Sequence, residues 1–153
     1  MSNEDREQLA VAVRTMQIIV FSMAMGCVVF AVILLTVIQP DPTEGPPTIA
    51  YIGVAAGLAA LVAGVIVPRL IAASQPATAG AYQTTLIIGL AIFEGAAFLN
   101  LVAYMIEGQS FSLAVAAVLI AAIVMGMPTI GRVEDWLDAR RRSDEEADAF
   151  NRR

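Results

Sequence analysis

The chain has 153 residues, 58% of them hydrophobic and 15% charged, with a formal net charge of −5. Soluble domains run at roughly 45–50% apolar and 25% charged, and a fold this small cannot hide so much apolar surface from water. With no histidine, no lysine and one cysteine, the inventory excludes imidazole acid–base catalysis, His-ligated metals, Schiff-base lysines and an intrachain disulfide, and an acidic chain offers no basic patch for nucleic acid.

In chain order, Ser2 and Asp5 have the spacing of a capping box, which predicts a short N-terminal helix (1–14) leading directly into the first apolar run. That run, Thr15 to Ile38, is 24 residues long, enough to cross a bilayer at about 1.5 Å per residue. It is too long for a signal-peptide core and no A-x-A-like site follows, so it is expected to be retained. Cys27 lies in it among Met, Gly and Val and reads as a packing residue. A proline-rich connection, 39–47, leads to the second run, Thr48 to Val67, which ends at Pro68-Arg69. Within it Gly53, Gly57, Ala60 and Gly64 recur at helical spacing. They predict a small-residue ridge that lets another helix backbone approach closely.

The third run, Thr84 to Ile106, contains Glu94, and the fourth, Phe111 to Ile130, carries Pro128 near its end. After it, Ile130, Val133, Trp136 and Leu137 form an apolar stripe among charges. The stripe predicts an amphipathic helix and tail over 131–153, with Trp136 as an interfacial anchor. A docking helix for a cytoplasmic partner is the alternative for this segment. The fold expected is therefore all-α: an integral membrane four-helix protein (spans 15–38, 48–67, 84–106 and 111–130) with amphipathic terminal helices, forming one transmembrane domain over 1–153.

The arginines predict its orientation. Arg6 and Arg14 precede the first span, Arg69 lies in the second connection, and the remaining six follow the fourth span, whereas the first and third connections have none. Four spans place every arginine on one side, which the positive-inside rule makes cytoplasmic. The expected location is the plasma (inner) membrane, multi-pass, with both termini inside.

One residue stands apart. Glu94 is the eleventh of 23 residues in its span, close to the bilayer midplane. A charge at such depth costs roughly 3 kcal/mol or more, and no cation of this chain is predicted at that level. The low dielectric there favours a neutral carboxyl, one that can release its proton on meeting water or a cation. The other role for such a group is an interhelical hydrogen bond. Asn100 lies about 120° around the helix from Glu94 and is a candidate for the same polar network or for a bond across a different interface.

The residues Ala72-Ala73-Ser74-Gln75-Pro76 and Gln83 to Glu94 carry a resemblance. Together with the small-residue helix before them, they are similar to the hairpin of the c subunit (proteolipid) of rotary ATP synthases. The likeness spans about residues 50–106. In that family a short Arg-Gln-Pro loop joins a Gly/Ala-rich helix to one bearing a midmembrane carboxylate. Gln75-Pro76 occupies the loop position here, with Ser74 where the loop arginine is expected. The resemblance implies that Glu94 binds the transported ion. With no hydroxyl next to Glu94 and no Gln or Glu at depth in the preceding helix, a proton is the expected ion rather than sodium.

A second pattern is an internal one: Thr15-Met16-Gln17-Ile18-Ile19 parallels Thr84-Thr85-Leu86-Ile87-Ile88, as a duplicated hairpin would. No nucleophile–base pair or metal cluster is visible, so no enzyme activity, catalytic residue, metal or cofactor is expected. Two functions remain. One is an oligomeric proton-binding subunit with Glu94 as its midmembrane carboxylate. The other is a structural or accessory four-helix membrane protein in which Glu94 is an interhelical hydrogen-bonding group without transport. The expected partners are the lipid bilayer and either further copies of the chain or other membrane subunits.

Overall fold

The computed structural model describes residues 3–151, and among them every regular element is helical. Helix α1 spans Asn3–Ile33 and closes in a π turn, Leu34–Ile38. Then come α2 (Thr48–Ala73), α3 (Ala79–Glu107), α4 (Ser110–Met125) and α5 (Ile130–Asn151). The expected N-terminal helix is continuous with α1 from Asn3 onward; Ser2 of the predicted capping pair lies outside the described residues.

Three helices are long and apolar enough to cross a membrane: α1 continued through its π turn, α2 and α3. A fourth crossing exists if α4 and α5, bent by 76° where they meet, count as one broken span. Alone, the 16 residues of α4 reach about 24 Å, short of a hydrocarbon core of about 30 Å.

Two predicted boundaries need correction, both at prolines. The second helix does not end at Pro68-Arg69 but runs through Pro68 to Ala73. Proline removes the N–H that the Gly64 carbonyl would accept and crowds the preceding turn, yet a neighbouring helix can hold such an interruption in place. Helix α3 does so with a glycine. A Cβ on Gly89 would stand 2.8 Å from the Pro68 ring and 3.1 Å from the Gly64 carbonyl oxygen. The predicted fourth span, 111–130, is cut instead. Helix α4 stops at Met125, residues 126–129 turn, and Ile130 already belongs to α5, because Pro128 disfavours helical backbone before it.

Helix α3 is the hub and touches every other helix, while α1 and α2 share no contact. Leu90, Phe93, Ala97 and Leu101 of α3 anchor the core, joined by Cys27 and Leu34 from the first helix, Ala60 from α2, and Leu119 and Ile123 from α4. The α1–α2 pair is thus split where α3 and α4 pack together, so the two halves suggested by the internal repeat are not packed alike. The small residues of α2 set its spacing from both α3 and α4. Gly53, Gly57, Ala60 and Gly64 are all buried. A Cβ on Gly57 would come within 2.5 Å of Val115 Cγ1, and one on Gly64 within 2.5 Å of the Phe93 ring. In a bilayer, where lipid tails are as apolar as leucine, such close approach provides van der Waals contact that drives helix association.

Helix α5 turns back over one end of the bundle. Its Val133 and Leu137 pack on Leu9 and Val13 of α1, and Trp136 meets Tyr82 of α3 edge-on with ring centroids 5.5 Å apart. Its arginines take up carbonyls that end other helices. Arg132 Nη1 donates to the Met125 and Met127 carbonyls, at 3.0 and 3.2 Å. Arg140 donates to the carbonyls of Ala73 and, at 3.2 Å, Gln75. The last carbonyls of a helix have no intrahelical donor and form the negative end of its dipole, so a guanidinium is well matched to them. Of the apolar stripe of α5, Val133 and Leu137 are buried against the chain's own helices and Trp136 is half-buried, while Ile130 stays exposed.

Candidate functional site: the carboxylates of α3

Glu94 lies midway along α3, fifteen residues after Ala79 and thirteen before Glu107. Residues 90, 93, 97 and 101 turn inward to the core, whereas Ala91, Gly95 and Leu99 are exposed. Glu94 sits on the flank between these sectors and is half-buried. That flank faces α1: Phe98, one turn on, packs its ring 5.8 Å from that of Phe30, and Glu94 lies within electrostatic range of Cys27. Among the described residues Glu94 has no hydrogen-bond or ion-pair partner. Because α1 and α2 do not touch, the exposed side of α3 opens outward between them, with Glu94 at its α1 edge. Toward α2 the same face forms an open groove of about 430 Å³ lined by Ala56, Ala59, Ala63, Ala91 and Gly95.

Asn100 is fully buried and turns away from Glu94. Its Nδ2 donates to the Gly53 carbonyl of α2 at 2.8 Å and to the Ala96 carbonyl at 2.9 Å, while its Oδ1 has no partner among the described residues. Asn100 thus bonds at the glycine ridge: a Cβ on Gly53 would sit 2.9 Å from that same Oδ1. Ridge and amide form one contact, which does not include Glu94. Trp136 lies at the far end of the bundle, half-buried on Tyr82.

A second carboxylate of α3 escaped the sequence reading, which left it in a connection. Glu107 is buried, with 7% of its surface exposed. Its Oε1 accepts from the Ile49 N–H at 2.8 Å and its Oε2 from the Ala50 N–H at 2.7 Å. Helix α2 begins after Pro46-Pro47, and Pro47 at the N-cap has no side chain able to accept a hydrogen bond. Two of the first four N–H groups find local carbonyls, Thr48 on Pro46 and Tyr51 on Pro47. Glu107 takes the other two. Its charge stands at the positive end of the α2 dipole, where an anion is favoured. The connection 39–47 is tied to the same place, with the Thr43 N–H on the Glu107 carbonyl at 3.2 Å. Gly108, at φ +65°, lets the backbone at Asp41 approach where a Cβ would be only 2.7 Å away. One signal could have pointed to this: two prolines before a helix leave amides that need a remote acceptor.

No group of three or more His, Cys, Asp or Glu among the described residues is placed to hold a metal ion. Protein-family models, curated proteins and solved structures yield no match to the chain. The proteolipid resemblance therefore rests on the residues quoted for it.

Proposed function

We propose that this chain is a four-span protein of the plasma (inner) membrane, with both termini cytoplasmic, that acts as an oligomeric proton-binding subunit similar to a c-ring proteolipid, with Glu94 as its midmembrane carboxylate. One observation carries the reading: Glu94, halfway along a membrane-length helix, has no hydrogen-bond or ion-pair partner among the described residues. A carboxyl in that position is stabilised by protonation or by a group from outside the chain. The Ala/Gly groove beside it is a face on which a neighbouring helix can pack closely. The orientation has its own support. Leu9 and Val13, the start of α3 and α5 meet at one end, which gathers the arginine-bearing segments there. The connections at the other end carry only Asp41, Glu44 and Glu107. An accessory protein in which Glu94 bonds between helices is the second reading, but the side-chain bonds seen between helices come from other residues, Asn100, Glu107 and Gln17 among them.

A hydrophobic carbodiimide, which modifies protonated carboxyls, tests the proposal. The purified protein is expected to be labelled at Glu94, less as pH rises, and Glu94→Gln to be inert; Glu107, buried and bonded, serves as an internal control. No labelling of Glu94 between mildly acidic and mildly alkaline pH overturns proton binding. Native mass spectrometry in mild detergent tests assembly, with one fixed oligomer expected and a monomer ruling the ring out.

A further inference from the structure

A cavity of about 280 Å³ opens at the arginine-bearing end between α2, α3 and α4. Gly64, Gly89 and Phe93 line its deeper part, and Arg69, Tyr82 and Trp136 line the part nearest that end. Its wall is mostly apolar. The hydroxyl of Thr85, the polar group furthest in, is already spent on the Ala81 and Tyr82 carbonyls, at 3.0 and 2.8 Å. The volume lies just below the roughly 300–1,000 Å³ of ligand pockets.

Three features of its rim belong together. Trp and Tyr side chains concentrate at the level of lipid headgroups, and here the two are locked edge-on. Arg69 is exposed and makes no hydrogen bond or ion pair with any described residue. Arg132 and Arg140, by contrast, are engaged on helix-end carbonyls. A cation with no protein partner, set at the mouth of an apolar crevice at headgroup depth, is complementary to one kind of molecule: an amphiphile with an anionic head and a hydrocarbon tail. In a bilayer that molecule is an anionic phospholipid.

We propose that this cavity is an anionic-phospholipid site, with an acyl chain lying along Gly64, Gly89 and Phe93 and the phosphate held by Arg69. The inference is independent of what Glu94 does and requires only that the chain sits in a membrane.

Trp136 is the single tryptophan and lines the site, so its fluorescence is a built-in probe. The full chain is reconstituted in phosphatidylcholine vesicles containing equal small mole fractions of either phosphatidylglycerol or phosphatidylcholine with brominated acyl chains, which quench tryptophan on contact. Brominated phosphatidylglycerol is expected to be preferred roughly fivefold, the equivalent of about 1 kcal/mol for one arginine beside anionic lipid. Arg69→Lys is expected to keep a preference and Arg69→Gln to lose it. Ala122→Phe, which fills the cavity without touching a charge, is expected to lose it too, with helix content checked by circular dichroism. Equal quenching by the two lipids in the unmodified chain overturns the proposal, as that is the behaviour of a tryptophan facing bulk lipid. A preference that survives either Arg69→Gln or Ala122→Phe overturns it as well, because the attraction would then belong to the arginine-rich surface and not to this site.

Discussion

Glu94 and Glu107 stand thirteen residues apart on one helix, and their surroundings are opposite. Glu107, at the end of α3, is buried and fully engaged, both oxygens accepting from the first turn of α2. Glu94, at the centre, is half-buried with no hydrogen-bond partner among the described residues. The end of α3 is unfavourable for an acid by its own dipole, yet the helix start it meets more than compensates. The centre offers no helix terminus at all, because backbone donors there are consumed within the helix. Depth along a helix thus decides whether a carboxylate can find backbone donors, and only the one at the end does.

This contrast can be broken by mutation, with stability read as the midpoint of SDS-induced unfolding in mixed micelles. Glu107→Ala should have the largest effect, about 3 kcal/mol of destabilisation, because it removes two charge-assisted bonds and strands the buried Ala50 amide and the part-buried Ile49 amide. Gly57→Val should follow at about 2 kcal/mol, since its side chain must displace Val115 in a close-packed interface. Asn100→Ala should cost about 1 kcal/mol, the scale of polar contacts between membrane helices. Glu94→Gln should be smallest, within about 0.5 kcal/mol, having no bond to a described residue to lose. A Glu94→Gln effect as large as that of Glu107→Ala would erase the distinction and make Glu94 a structural group. An indifferent Glu107→Ala would show that the α2 amides find other acceptors.

The two ends of α2 repeat the lesson. Each is capped in part by a group from another helix: Glu107 from α3 takes two amides at the N-terminus and Arg140 from α5 the Ala73 carbonyl at the C-terminus, beside the local bonds of Thr48 on Pro46 and Ser74 on Ile71. Each foreign group carries the charge that the local dipole favours. The small residues of α2 are concerned with closeness, and the charged groups at both of its ends come from its neighbours.

Much of the fold was legible because hydropathy is local. The first three apolar runs lie within helices, and the glycines at 53, 57 and 64 announced a close helix approach whatever the partner. The errors came at Pro68 and Pro128, where the same residue continues one helix and ends another. Packing made the difference: Gly89 gives Pro68 a neighbour without a side chain, and the turn after α4 instead receives Gln17 and Arg132 on its carbonyls. Of the candidate site, the position of Glu94 along its helix was readable, since counting residues gives depth. Its lack of a partner was not, because that depends on what every other helix presents to it.

By itself the sequence determined that this chain belongs in a membrane, that its helices are long, and that one carboxylate lies deep in a span. These are properties of composition and of residue counts along one helix. The tertiary structure alone decided that α3 is the hub, that α1 and α2 stay apart, and that α5 folds back to close helix ends. It alone set apart the two acids of α3, the one that caps the start of α2 and the one with no hydrogen-bond partner among the described residues. Those outcomes rest on contacts such as Glu107 with Ala50, 57 positions apart, and a local pattern contains no information about which distant amide will need an acceptor.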